Sequence, residues 1–202
     1  MHCVNFDNQN VVPGKIVCVG MNYVEHIREL KGRDPEELVL FMKPNSAVSE
    51  DLVLPAAASR YEGELSFIMR DERPAGIGFG LDLTLSQVQK RLKGKGLPWE
   101  KSKAFDMSAV FSRFIPFTEN FRDLALELWI NGELRQNGSV DLMLHKPSAI
   151  LKEIARHFTL DDNDIVMTGT PKGVGTFARG DVFTGKLFRQ KKLLLEQTWT
   201  VK

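Results

Sequence analysis

The chemistry in this sequence begins with three acids. Glu62 and Glu64 stand two apart in YEGELSFIM (61–69), and Asp82 closes a second apolar run, GIGFGLDL (76–83). Side chains of an extended chain alternate with a period of two. Glu62 and Glu64 therefore point to one side, roughly 6.5 to 7 Å apart along the chain, while Tyr61, Gly63, Leu65, Phe67 and Met69 point to the other. Taken alone, the pair reads first as the solvated face of a half-exposed strand. Asp82 alters the reading, because it lies at a strand end just before a helix, where loops commonly present functional side chains. Three converging carboxylates repel one another unless a cation joins them or one keeps its proton. An oxygen-only donor set completed by water suits Mg²⁺ or Mn²⁺ better than Zn²⁺.

Other reactive residues are individually less specific. His26 and Glu29 are spaced three apart on a predicted helix, as a general base and its orienting acid would be, and equally as an exposed ion pair would be. Lys103, in KSKAFDMS, is a candidate partner for a substrate carboxylate, although most lysines are simply solvated. The stretch TGTPKGVG (168–175) offers backbone amides and two hydroxyls after a strand. Lys172 precedes the relevant glycine, so this is not a nucleotide phosphate loop.

These groups must be held by a β-rich framework. Short apolar runs bounded by Gly, Pro and Asn predict strands in KIVCVG, LVLFMKP, ELSFIMR, GIGFGLDL, LELWI, DIVMTG and DVFTGKLF. Asn131-Gly132, inside LELWINGELRQNG, predicts a type I′ hairpin. Three helices are expected. The first runs from about Asn22 to Leu30, with Asn22 as N-cap, Glu25 in the capping-box position and Gly32 as its stop. The second runs from about Leu85 to Lys93, with Thr84 and Gln87 boxing its start. The third lies in KPSAILKEIARHF, with Pro147 in its first turn and Ile150, Leu151, Ile154 and Phe158 on one stripe. The polar ELKGRDPEEL suits a mobile connection or lid.

Bulk properties exclude several classes. The chain has 202 residues, 43% of them hydrophobic, and a net charge of +1. That is enough to bury a core in one domain, residues 1–202. It shows no charged run to recommend nucleic acid or an anionic membrane. No apolar run approaches the ~20 residues of a membrane helix, and no signal-type segment opens the chain. Cys3 and Cys18 form no CxxC pair, which fits a reducing compartment. A cytoplasmic protein acting on a small molecule is the expectation.

Seven stretches in order, GMNYVEHIREL, LFMKPNSA, YEGELSFIM, GFGLDLTLSQVQ, GLPWEKSKAFD, WINGELRQNG and DIVMTGTPKGVG, resemble the fumarylacetoacetate hydrolase family over about residues 14–188. The similarity is to its short branch of acylpyruvases and oxaloacetate-processing enzymes. The resemblance implies an α+β, β-rich fold: a mixed β-sandwich roll with a few short helices, usually a homodimer. It implies Mg²⁺ or Mn²⁺ held by Glu62, Glu64 and Asp82, substrate-binding roles for Gln89 and Thr170, and catalytic roles for His26, Glu29 and Lys103. It implies a 2-oxo or 2,4-dioxo acid substrate reacting through an enolate. Acylpyruvate carbon–carbon hydrolysis is the first expectation; oxaloacetate decarboxylation, tautomerisation, or isomerisation of a hydroxymuconate-type diacid are the alternatives. Met21 stands where several relatives carry Arg or another polar residue. With Arg28 on the outward side of the first helix, a short substrate with a small neutral acyl group, or oxaloacetate, is expected over a long diacid.

Overall fold

The computed structural model describes residues 1–29, 35–118 and 120–202. A mixed sheet forms the larger layer. Its strands run, side by side, Val39–Pro44, Lys15–Gly20, Ile165–Met167, Gly63–Arg70, Arg73–Asp82, Ala109–Phe111 and Val48–Ser49, with Ile115–Pro116 also paired to Arg73–Asp82. Ile165–Met167 runs parallel to Lys15–Gly20, and Ala109–Phe111 parallel to Val48–Ser49; the other pairs are antiparallel. A four-stranded antiparallel sheet packs against it, ordered Glu133–Ser139, Leu124–Ile130, Val182–Arg189 and Lys192–Thr200. The expected β-rich α+β architecture is the one observed.

The alternation read from the sequence decides which side chains fill the space between the sheets. Leu65, Phe67 and Met69 join Phe79, Leu126, Leu128, Phe183 and Leu187 in the main core. Ile68, on the opposite side, packs instead with Ile16, Ala109, Phe111, Phe114 and Met167 in a second cluster. Both faces of the Gly63–Arg70 strand are therefore covered, and from Gly63 to Met69 every residue is buried. Glu64 shares the side of Ser66 and Ile68 and is only 1% exposed. The solvated-face reading of the acidic pair fails for this reason: packed side chains cover both faces of the strand, and Glu62 and Glu64 are both buried.

The predicted hairpin turns at Asn131 and Gly132, whose φ angles of 52° and 80° are the left-handed values that a type I′ turn requires. The helices are Val24–Glu29, Ser86–Gly94, Glu100–Lys103 and Pro147–Ile154. Two caps differ from expectation. Asn22 does not cap the first helix, because its side chain donates to the carbonyls of His145 and Thr168 and accepts from the amide of His145. Thr84 does not box the second helix, because its hydroxyl is turned to Glu62 and Lys103. The stop expected at Gly32, the end of the first helix at Leu30 and much of the proposed lid connection lie outside the described residues. Among the described residues no helix is long and apolar enough to cross a membrane.

Candidate active site

Glu62, Glu64 and Asp82 converge. Each offers a carboxylate oxygen within 4.8 Å of the others, and all three residues are buried. The register explains the convergence. Glu64 pairs with Gly80 across the central hairpin, Ala109 pairs with Asp82, and the amide of Asp82 donates to the carbonyl of Glu62 at 2.8 Å.

Two buried lysines answer this charge. The Lys103 ammonium lies 2.7 Å from both Glu62 and Asp82 and 2.6 Å from the Thr84 hydroxyl. Lys103 is thus neither solvated nor free to meet a substrate without leaving these partners. Lys43, fully buried, places its ammonium 2.8 Å from the second oxygen of Asp82. That contact is an ion pair without the alignment of a hydrogen bond, and Asp82 Oδ1 has no hydrogen-bond donor. The same ammonium donates to the carbonyl of Lys103 and to Ser108, tying the segment that carries one lysine to the other. Lys43 was not singled out as a site residue from the sequence. Only its place in an otherwise apolar strand run, LVLFMKP, hinted at it.

The acids titrate apart. Burial opposes the charge on Glu62, but Lys103, His26 and Arg60 outweigh it and hold that carboxyl down at about 2. Burial, and after it the charges of Asp82 and Glu62, push the Glu64 carboxyl well above the usual range, against the pull of the Gly169 amide. Burial would lower Lys103, yet Asp82 and Glu62 raise it, so it stays charged. Three buried acids, one of them with its carboxyl pushed well above the usual range and another with an orphaned oxygen, fit a hard divalent cation with oxygen ligands.

The loop 168–175 closes one side. Its Gly169 amide donates to Glu64 at 2.7 Å, from a φ of 94° that only glycine adopts readily. Thr170 is buried, donating to the Gly63 carbonyl and accepting from Gln136, so its hydroxyl is engaged on both sides within the protein. Gln136, which no local sequence signal singles out, also accepts from the Gly63 amide and donates to the Pro171 carbonyl. It thereby links the second sheet to the acidic strand.

The first helix stands over the same loop. His26 is buried, with Nδ1 3.3 Å from Glu29, and Glu29 in turn accepts from the Gly173 amide. His26 lies near enough to Glu62 to lower its pKa. Arg28 is exposed, as expected. Gln89 is buried on the second helix, which packs on the strand pair Ser59–Arg60 and Thr84–Leu85 beside the acids. The largest cavity described, about 610 Å³, is lined by residues such as Asn5, Glu50, Arg113 and Trp199 and by none of the three acids.

The family model for the C-terminal part of fumarylacetoacetate hydrolase matches residues 15–198. The chain is 41% identical over 189 residues to an oxaloacetate tautomerase of Escherichia coli K12, covering 84% of this chain and 86% of that one. To the mitochondrial oxaloacetate tautomerase of Homo sapiens it is 36% identical over 184 residues, covering 82% and 83%. Among solved structures, a fumarylpyruvate hydrolase from Pseudomonas aeruginosa in complex with Mn²⁺ and pyruvate superposes with a TM-score of 0.88 at 30% identity, covering 98% of this chain and 95% of that one.

Proposed function

From the premise that this chain belongs to the fumarylacetoacetate hydrolase family and is an enzyme that processes small oxo acids, we propose that it interconverts the keto and enol forms of oxaloacetate with a divalent cation. The convergence of Glu62, Glu64 and Asp82 beside a buried His26, itself paired with the exposed Glu29, carries this reading. The similarity to oxaloacetate tautomerases over most of the chain moves tautomerisation ahead of the acylpyruvate hydrolysis first expected.

Glu62, Glu64 and Asp82 would hold the ion, Mg²⁺ or Mn²⁺. When bound, it supplies Lewis-acid stabilisation for charge developing on the substrate's 2-oxo oxygen. The residues do the remaining work. Glu29 accepts from Nδ1–H of His26, which leaves Nε2 as the basic nitrogen. His26 takes a proton from C3 of the keto acid; the C–H electron pair becomes the C2=C3 bond, and the proton returns at the 2-oxygen. The reverse path runs through the same atoms. Burial of His26 limits competing solvent protons, and the Glu29–Gly173 contact fixes the ring's supporting acid. Lys103 serves the acids as a counter-charge, and Thr170 and Gln136 hold the loop that presents the Gly169 amide. Gln89 borders the substrate space.

A second reading is carbon–carbon hydrolysis of an acylpyruvate, favoured by the likeness to the fumarylpyruvate hydrolase. There His26 would deprotonate a water instead of the substrate. The homodimer implied by the family belongs to the proposal, and sedimentation equilibrium tests it. The deciding assay follows the ultraviolet band of enol-oxaloacetate with Mn²⁺, Mg²⁺ or chelator, beside acetylpyruvate and fumarylpyruvate. Cation-dependent acceleration of enol decay, lost in His26→Ala, is the expected result. Acceleration only of acylpyruvate cleavage selects the second reading, and none with any substrate overturns both.

A further inference from the structure

Beside the acid cluster lie two cations that the mechanism above does not use. Arg60 is two residues before Glu62, so along an extended chain the two side chains share a side. Its backbone pairs with Thr84, whose hydroxyl contacts both Glu62 and Lys103. The guanidinium Nε of Arg60 is buried without a hydrogen-bond partner. Native structures seldom leave such a donor orphaned. Lys93 approaches from the last turn of the second helix, its ammonium 4.2 Å from the centroid of the Trp99 ring. Trp99 packs on Phe41, and Phe41 faces the Lys103 ammonium at 5.0 Å, so the two lysines stand on one aromatic wall. Burial, and then the charges of Lys103 and Arg60, depress Lys93, while Glu62 acts in the opposite sense. Lys93, Arg60, Lys103 and Glu62 therefore share one electrostatic neighbourhood.

The charges there do not cancel within the protein. Lys103 and Lys43 already answer Glu62 and Asp82. Neither Arg60 nor Lys93 forms an ion pair among the described residues, and a divalent ion would add to the surplus. Resting on the oxo-acid reading of this site, we infer that Arg60 and Lys93 form a second carboxylate-binding corner that selects dicarboxylic 2-oxo acids over 2-oxo acids with a neutral far end. The corner supplies the far-end cation that Met21 and the outward Arg28 do not. It reverses the sequence-based expectation of a neutral acyl group and leaves oxaloacetate as the favoured short substrate. Arg60 can meet a carboxylate with two donors, and Lys93 adds a point charge at the mouth.

Two inert 2-hydroxy acids test the corner without chemistry. Malate and lactate share the chelating carboxylate and hydroxyl and differ in the far carboxylate. Calorimetric titration into the Mn²⁺-loaded full-length protein should show malate at least tenfold tighter than lactate. Arg60→Met and Lys93→Met should each shrink that preference and the double variant abolish it, while Arg60→Lys retains part of it and Mn²⁺ affinity stays within about twofold throughout. Lys93 is at the exposed end of a helix, so its variant keeps the test open if Arg60→Met does not fold. No malate binding, equal affinities in the wild type, or a preference unchanged in the variants overturns the inference. Failure of the underlying reading has a different signature, a wild type that turns over neither oxaloacetate nor acylpyruvates.

Discussion

The upward shift of the Glu64 carboxyl gives the metal-free protein a distinctive response to acidity. Its folded-state pKa is raised, so above the usual carboxylate range the folded state holds a proton that the unfolded chain has released. Stability then falls as pH rises through that window. Glu62 works the other way: its carboxyl is depressed to about 2, so its contribution is present above the usual range and is lost as pH falls toward that value. Chelator-treated wild type should therefore melt highest at mildly acidic pH. Glu64→Gln, which keeps an acceptor for Gly169, should flatten the alkaline side, and superimposable melting profiles would refute the account. With an ion, Glu64→Ala would remove one of the three proposed ligands. Mn²⁺ affinity should drop by at least about tenfold, and the metal-induced rise in Tm should shrink with it. An equal Tm rise in variant and wild type would remove Glu64 from the ligand set.

At the scale of elements, the acidic strand owes its geometry to partners distant in sequence. Gln136→Ala would leave the buried Gly63 amide without its acceptor and free Thr170 and Pro171. A loss of about 1–3 kcal/mol is expected by chemical denaturation. Weaker Mn²⁺ binding should accompany it, since Gly63 lies between two of the proposed ligands; unaltered stability and affinity would show the link to be idle. The strand pattern and the Asn131-Gly132 turn were legible because period-two alternation and left-handed φ are local properties. The acids could be picked out for the same reason. Lys43, Gln136 and the Arg60–Lys93 corner were not, because each acquires its meaning from chain pairings that no local window contains. Arg60 came nearest: it continues the Glu62–Glu64 alternation by one step. The two failed caps have the same origin, as Asn22 and Thr84 found tertiary partners stronger than the helix ends beside them.

For the molecule as a whole, the two sheets meet at close quarters. A Cβ added at Gly185 would come within 2.6–2.8 Å of the Phe79 ring, which lies in the core between them. Gly185→Ala should cost about 1–3 kcal/mol through overpacking, read as a lower midpoint in denaturant. A neutral substitution would mean that the sheets separate more easily than their packing suggests. The layering itself was legible in outline, since strand runs of alternating character predict stacked sheets. Strand order was not, because the neighbours of Gly63–Arg70 include Ile165–Met167, nearly a hundred residues on.

The candidate site is divided between unequal hosts: an acidic strand inside a sheet, covered on both faces, and the first helix, described over Val24–Glu29, where His26 and Ile27 are the buried residues. Such a helix draws most of its stability from its docking contacts. Backbone deuterium uptake should separate the two. Amides around Glu64 should exchange only through global opening, over hours or longer, whereas those of Val24–Glu29 should exchange through local opening orders of magnitude sooner. The proposed cation half of the reaction would then be timed by the lifetime of the whole molecule, and the proton-transfer half by the far shorter dwell time of one docked helix.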